Sequence, residues 1–243
     1  MSTVLQRATQ SYRDNGLLHV VGAAFRYFKQ QAGRLLFFCF FKLFRSRRVF
    51  FVDGKGFRYR FSWYNSTWSN ERAVEIPLIW DIVQSHRGKR VLEVGNVLSH
   101  YFPIVHDVLD KYERSAGVLN EDVVDFCPDQ KYDLIVSIST LEHVGWDEEP
   151  VEPEKVIKAI EQLRTCLNKN ATFVFTVPLA YHTTLDKHIR QKTLNLSRMV
   201  FMKRTTRDNQ WVEATLAEVQ NLKFNDPYPY ASSIMIGFVE TKD

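Results

Sequence analysis

Several acidic residues and a histidine of this 243-residue chain stand where a short apolar run gives way to a polar loop. Arg90-Val91-Leu92-Glu93-Val94-Gly95 is one such run. Tyr132-Asp133-Leu134-Ile135-Val136-Ser137 is another, and it leads through Ser139 into Leu141-Glu142-His143-Val144. Ligands of an open parallel sheet bind outside the carboxyl ends of its strands. Glu93, Gly95, Ser139, Glu142 and His143 therefore occupy places that face a ligand. The chemistry on offer is of two kinds. A carboxylate accepts hydrogen bonds from two adjacent hydroxyls at once, and histidine, with a reference pKa of about 6.5, exchanges protons close to neutral pH.

Those residues need a sheet behind them. From Lys89 onward strand, loop and helix alternate, the pattern of a mostly parallel sheet with helices on both faces. Strands are expected at 90–94, 105–109, 132–138 and 171–177, then at 199–204 and 233–240. A helix from Pro153 to Leu167 is amphipathic through Val156, Ile157, Ile160, Leu163 and Leu167. The fold class is α/β, a Rossmann-like doubly wound sheet with an N-terminal helix and a β-hairpin as an extension.

In that extension Val49–Val52 and Phe57–Phe61 flank Asp53-Gly54-Lys55-Gly56 as a hairpin. Asn70 is placed to cap a helix with Val74, Leu78, Ile79, Ile82 and Val83 on its buried face and Pro77 near its start. Residues 15–45 repeat apolar residues at spacings of three and four, from Leu17, Val20 and Val21 to Phe40 and Leu43, and read as a helix that Gly22 and Gly33 weaken or divide. Three parts result: a basic helical extension (1–48), a hairpin and helix leading into the core (49–87), and an α/β domain (88–243).

A composition of 45% hydrophobic and 25% charged residues is that of a globular protein, and a net charge of +4 is too small to imply nucleic acid. The charge is concentrated instead. No acidic residue occurs between Asp14 and Asp53, while Arg26, Lys29, Arg34, Lys42, Arg45, Arg47 and Arg48 are all basic. The longest apolar run there, Leu35–Phe41, is far short of the roughly 20 residues that cross a bilayer. Phe37, Phe38, Phe41 and Phe44 widen its apolar face, so residues 15–48 read equally as an interfacial helix on an anionic membrane surface or as one that packs on the main domain or on a second copy in a homodimer. Cys39, Cys127 and Cys166 are odd in number and widely spaced, which fits a reducing compartment better than a disulfide framework. With no leader-like segment visible, the expected location is cytoplasmic, and peripheral on the inner face of the membrane under the interfacial reading of residues 15–48. The sequons at Asn65, Asn170 and Asn195 are read as coincidental.

Over roughly residues 88–180 the chain resembles the class I S-adenosylmethionine-dependent methyltransferases, in the small-molecule branch with a Leu-Glu-His motif after the fourth strand. The resemblance implies S-adenosylmethionine as cofactor. It sets Glu93 at the methionine end with Gly95 and Asn96, Asp110 of Val108-Leu109-Asp110 on the ribose hydroxyls, and Asp122 and Val123 on adenine. Ser139 and the segment through His143 would line the sulfonium and the acceptor, and Pro178 follows the fifth strand as in that family. The family's GxGxG is here Gly95-Asn96-Val97-Leu98-Ser99, so side chains at Val97 and Ser99 either crowd the methionine moiety or turn the loop onto another path.

Methyl transfer from a sulfonium is a direct displacement, helped by holding nucleophile and methyl in line. A base is needed only for a protonated nucleophile such as a hydroxyl. His143 is the first candidate for that base and Glu142 the second. Tyr64, Trp68, Asn70 and Arg72, with His182 after the fifth strand, are candidates to stack on and hydrogen-bond a polar or saccharide acceptor.

Each residue has a plainer reading as well. Glu93 pairs readily with Arg90 or Lys89, Asp110 suits a strand-end turn, His143 suits a packed histidine bonded to backbone, and Tyr64 to Arg72 suit an aromatic packing loop. Neither His100, His106 and Asp107 nor His182, Asp186 and His188 has the spacing of a zinc site, and no metal is expected. The first functional reading is a methyltransferase for a polar small molecule or lipid-linked saccharide, with O-methylation favoured. The second is an inert methyltransferase-like fold serving as a membrane-associated scaffold. A third, a dinucleotide enzyme, lacks its GxGxxG turn.

Overall fold

A computed structural model describes residues 4–241, with backbone alone for 4–20 and for Gln30, so the side chains of Leu17 and Val20 lie outside the described residues. The chain divides into two units between Ser46 and Arg47. The first is helix α1 (Val4–Phe40), continued by a π-helical turn, Phe41–Arg45. Gly22 and Gly33 lie inside α1 and do not divide it. Within this unit the Phe40 ring meets Phe41 edge-on, and the Lys42 and Arg45 cations lie over the Phe38 and Phe40 rings.

The second unit opens with the hairpin β1 (Val49–Val52) and β2 (Lys55–Arg58). Its turn is only Asp53-Gly54, both with positive φ (50° and 76°), because Val52 pairs directly with Lys55. That is the two-residue turn whose twist matches the flanking strands. Lys55 and Gly56 therefore belong to the second strand, which ends three residues before the expected Phe61. Helix α2 (Arg72–Ser85) carries Pro77 in its second turn. A proline there cannot donate to the carbonyl four residues earlier. That carbonyl, of Ala73, instead accepts a hydrogen bond from the Arg60 N–H at 2.9 Å, so the segment after the hairpin completes the helix.

The main sheet consists of β3 (Val91–Val94), β4 (Asp107–Leu109), β5 (Val118–Leu119), β6 (Tyr132–Ile138), β7 (Leu167–Pro178), β8 (Arg198–Arg204), β9 (Trp211–Ala214) and β10 (Ser233–Glu240). Their order across the sheet is β5-β4-β3-β6-β7-β10-β8-β9. The first five run parallel, and β10 is antiparallel to both β7 and β8. This is a doubly wound, Rossmann-like order whose direction reverses between β3 and β6. Buried on both faces, β6 and the second half of β7, from Phe173, read as near-continuous apolar runs. One face packs α2 and the hairpin against Leu134, Val136, Ile234 and Ile236. The other packs helices α3 (Lys155–Thr165) and α4 (Thr183–Gln191) against Ile135, Phe173, Phe175 and Met235.

The regular alternation expected from Lys89 holds only in part. The connections between β3 and β6 carry no α-helix among the described residues, only a 3-10 turn at Leu98–His100 after β3. The expected strand at 105–109 starts at Asp107, since Val105 is fully exposed and has no core to face. Helix α4, strand β9, a short helix α5 (Leu216–Val219) and the two-residue β5 were not anticipated.

Gly237 in β10 is opposite Phe175 in β7, and a Cβ at 237 would come within 2.6 Å of the phenyl ring. Gly237→Val should therefore destabilise the protein by about 2 kcal/mol through overpacking, read as a lower urea midpoint at unchanged slope.

Candidate functional site

The end of β3 sets the geometry of everything around it. Glu93 is fully buried, and its Oε1 accepts hydrogen bonds from the backbone N–H groups of Val97 (2.9 Å) and Leu98 (2.7 Å), while Oε2 meets His106 Nε2 at 2.9 Å. The loop is thus wound around a side-chain carboxylate. Among the described residues from 95 to 101 only Gly95 has positive φ, at 86°. A Cβ there would lie 2.2 Å from Thr140 Oγ1, so glycine is required by the close approach as well as by the backbone. Val97 packs against the core and Leu98 is fully buried in it, while the Ser99 hydroxyl donates to Asn96 Oδ1. Neither Val97 nor Ser99 lines the cavity described next; the loop has taken the other path.

A cavity of about 480 Å³ opens at the carboxyl ends of β3 and β4. Val94, Leu109, Val123 and Val144 supply its apolar wall, and Gly95, Thr140 and His143 close one end. Asp110 follows β4 and accepts from the N–H groups of Tyr112 (2.9 Å) and Glu113 (2.8 Å) through Oδ1. Its Oδ2 receives a single long bond, 3.3 Å, from Asn96 N–H. Asp122 shares Oδ2 between Lys111 (2.8 Å) and Lys155 (2.6 Å), and the same two lysines bind Glu148. Burial opposes ionisation of Asp122 and Glu148, but the two ammonium groups win and hold both carboxyls below their ordinary values.

His143 is half exposed on the cavity wall. Its Nδ1 pairs with Asp147 Oδ2, which also accepts from the Tyr181 hydroxyl at 2.7 Å. Although burial raises it, the Asp147 carboxyl is held low by these two hydrogen bonds, and burial together with Asp147 pushes the Tyr181 phenol up. An ionised Asp147 makes Nδ1 the protonated nitrogen and leaves Nε2 as the acceptor. Nε2 lies 3.7 Å from Glu142 Oε1, beyond hydrogen-bond reach. Glu142 is buried, and desolvation, with Glu75 and Glu71 adding to it against Arg72, raises its carboxyl well above the ordinary range. Its Oε2 has no hydrogen-bond partner among the described residues.

The site residues expected from sequence thus fall into two sets. Gly95, Asp110, Asp122, Val123 and His143 share the cavity. Glu93, Asn96, Ser139 and Glu142 stand outside its lining. Ser139, at φ 37°, donates its hydroxyl to Glu75 Oε1 at 2.6 Å. The proposed acceptor residues are also outside it. Arg72 donates to the carbonyls of Ile138 (2.6 Å) and Ser139 (3.2 Å). Asn70 joins the carbonyl of Asn65 to the N–H of Arg72, so it caps by its side chain although α2 begins two residues later. Trp68 is buried, Tyr64 stacks on His100 at 4.4 Å, and buried His182 caps α4 by accepting from Leu185 N–H, its ring stacked on Trp146.

Asp147 and Glu75 were missed, as were Thr140, Glu113 and the lysine pair. Asp147 could have been found, since it follows His143 by four residues. The others have no local signal, because their partners are distant in sequence. His182, Asp186 and His188 do not converge: Asp186 accepts from Ala180 N–H, and His188 bonds Thr193 and Glu154.

No protein-family model matches this chain, and no curated protein matches it in sequence. Among solved structures it is similar to the N-methyltransferase NodS from Bradyrhizobium japonicum WM9 in complex with S-adenosyl-L-homocysteine, at 12% identity and a TM-score of 0.44 over 68% of this chain and 85% of that one. It is also similar to Burkholderia thailandensis 1,6-didemethyltoxoflavin-N1-methyltransferase, at 12% identity and a TM-score of 0.43 over 70% and 79% of the two chains. A third is an S-adenosylmethionine-dependent methyltransferase from Archaeoglobus fulgidus, at 13% identity and a TM-score of 0.42 over 68% and 91%. The likeness is one of fold. At these values it says nothing of activity, and the Rossmann-like assignment stands on the strand order itself.

Burial raises the Asp186 carboxyl to about 6 against an ordinary value of 3.8, with the Ala180 N–H and Arg190 only partly offsetting it. Its contribution to stability is present below pH 3.8 and is lost as the pH rises through 6, because the folded state must then carry a buried charge. Asp186→Asn should remove about 2 kcal/mol of that loss. Denaturant titrations at pH 4 and pH 7 check this, and an unchanged difference between the two would show that Asp186 does not titrate in this window.

Proposed function

We propose that this protein is an S-adenosylmethionine-dependent methyltransferase acting on a polar small molecule or a lipid-linked saccharide, with a hydroxyl as the favoured acceptor. The observation that carries the reading is the charge of the cavity. Its ionisable lining includes Asp110, Glu113, Glu121, Asp122 and Glu148 against Lys111, with Lys155 pairing Asp122 and Glu148 from outside the lining. A cationic sulfonium with an ammonium group suits such a wall, whereas a pyrophosphate would be repelled. The backbone N–H groups of Val97 and Leu98, which would otherwise face a phosphate at the end of the first strand, are taken by Glu93. Both facts disfavour a dinucleotide.

The residues present fit the cofactor. Asp110 Oδ2 is available to ribose hydroxyls, Asp122 Oδ1 receives only a 3.3 Å bond from Val124 N–H and is available to the adenine amine, and Leu109 and Val123 offer apolar cover. Gly95 lines the other end. When bound, S-adenosylmethionine supplies the electrophilic methyl group. His143 would take the proton of an acceptor hydroxyl at Nε2, with Asp147 fixing the tautomer and Tyr181 holding Asp147 in place. This base is what favours oxygen as the acceptor atom, since an already deprotonated nucleophile needs none.

Calorimetric titration with S-adenosylmethionine and with S-adenosylhomocysteine tests the reading, and saturable micromolar binding is expected. Absence of heat and of thermal stabilisation would leave the inert scaffold as the better reading. Asp110→Ala should weaken cofactor binding by about 1.5 to 3 kcal/mol, the scale of hydrogen bonds to a charged group. His143→Gln should lower the methylation rate of a hydroxyl acceptor by about 100-fold while leaving cofactor affinity unchanged. An equal loss of both would make His143 a binding residue and not a base.

A further inference from the structure

The one long helix outside the α/β unit has a face that nothing in the proposed chemistry uses. Along α1, Val21, Phe25, Phe28, Leu35 and Leu36 recur at intervals that place them on one side of a helix, with Tyr27 and Phe37 exposed off that side. All are exposed, Phe25 at 70% and Leu36 at 72%. Leu43 and Phe44, in the turn that follows, are exposed as well. From Val21 to Phe40 this stripe runs for about 28 Å at a rise of ~1.5 Å per residue. Isolated exposed apolar residues need no explanation, but a contiguous stripe of this size marks a surface that is covered in use.

Charge decides what covers it. The segment between Asp14 and Asp53 contains no acidic residue, and Arg26, Lys29, Lys42 and Arg47 are exposed beside the apolar side chains. A second copy of the helix would bring two basic segments together with Asp14, near the start of α1, as the one acidic residue of each. A nucleic acid would cover the charges and leave the phenylalanines wet. Among the described residues no helix is long and apolar enough to cross a membrane. We infer that α1 docks the protein on an anionic lipid bilayer, lying in the interface with its Phe and Leu side chains among the acyl chains and its lysines and arginines at the head groups. The inference does not depend on methyl transfer.

The test uses the full chain in co-sedimentation with vesicles of phosphatidylcholine alone and of phosphatidylcholine with about 30% phosphatidylglycerol. Pelleting with the anionic vesicles alone is expected, falling several-fold as salt is raised from about 0.05 to about 0.5 M. Phe25→Glu combined with Leu36→Glu should reduce binding by at least about tenfold with the melting temperature unchanged, because both side chains are exposed. Equal pelleting with neutral vesicles, or none with either, would overturn the inference. A concentration-dependent dimer in analytical ultracentrifugation that the same two substitutions abolish, without vesicle binding, would assign the stripe to a second copy. Cofactor titration is unaffected in every case, so failure here is distinguishable from failure of the methyltransferase reading.

Discussion

The buried carboxylate of Glu93 is the constraint on which the ligand end of the sheet depends. A charged or polar group at the centre of a sheet is tolerated only when its bonding capacity is filled, and Glu93 fills it with two loop N–H groups on one oxygen and His106 on the other. Three consequences follow from this single residue. The loop after β3 closes with one positive-φ residue, Gly95, where a glycine-rich loop would use several. Leu98 is drawn into the core, so the loop's apolar side chains point away from the cavity. His106, one residue before β4, is tied to the end of β3, which fixes how the chain enters the strand that ends at Asp110. The cavity owes its shape to a carboxylate that does not line it.

A second clamp acts from α2 on the loop after β6. Arg72 holds the carbonyls of Ile138 and Ser139, and Glu75 holds the Ser139 hydroxyl. Ser139 sits at φ 37°, a conformation that costs a non-glycine residue energy and persists only where neighbours enforce it. Its N–H is bonded to the Thr176 carbonyl at 2.9 Å, so strand, helix and loop all meet at this residue. The geometry that sends Thr140 over Gly95 and His143 into the cavity is therefore set partly by a helix that contributes nothing to the cavity wall.

The parts legible in the sequence were those with a local signal. Apolar runs located β6 and β10 to the residue, and the family resemblance set Asp110 and Asp122 on one cofactor, two residues that line one cavity. What sequence could not show is where a polar side chain finds its partner. Glu93 looked like a ligand group because its partners are backbone N–H groups of a loop whose path no propensity specifies. Asn70, Arg72 and His182 looked like acceptor-binding groups for the same reason, and each has a backbone group as its partner. The hairpin was misjudged by two residues because Gly56 resembles a turn residue, although the twist of the strands is satisfied by Asp53-Gly54 alone. Strand β9 and helix α4 were missed because four residues and nine residues give periodicity little room.

Adjacent residues of the Leu-Glu-His segment illustrate how burial alone divides labour. Glu142 and His143 are neighbours in sequence, yet one is enclosed and the other half exposed. Burial is what chiefly raises the Glu142 carboxyl, with Glu75 and Glu71 adding to it and Arg72 opposing. At 3.7 Å from Nε2 it stands beyond hydrogen-bond reach of the imidazole. The stabilising charge for a protonated His143 comes instead from Asp147 on the opposite nitrogen, a carboxyl kept ionised by Tyr181 and by the imidazole itself. Of Glu142 and His143, the histidine lines the cavity and the glutamate does not, so only the imidazole can meet an acceptor there.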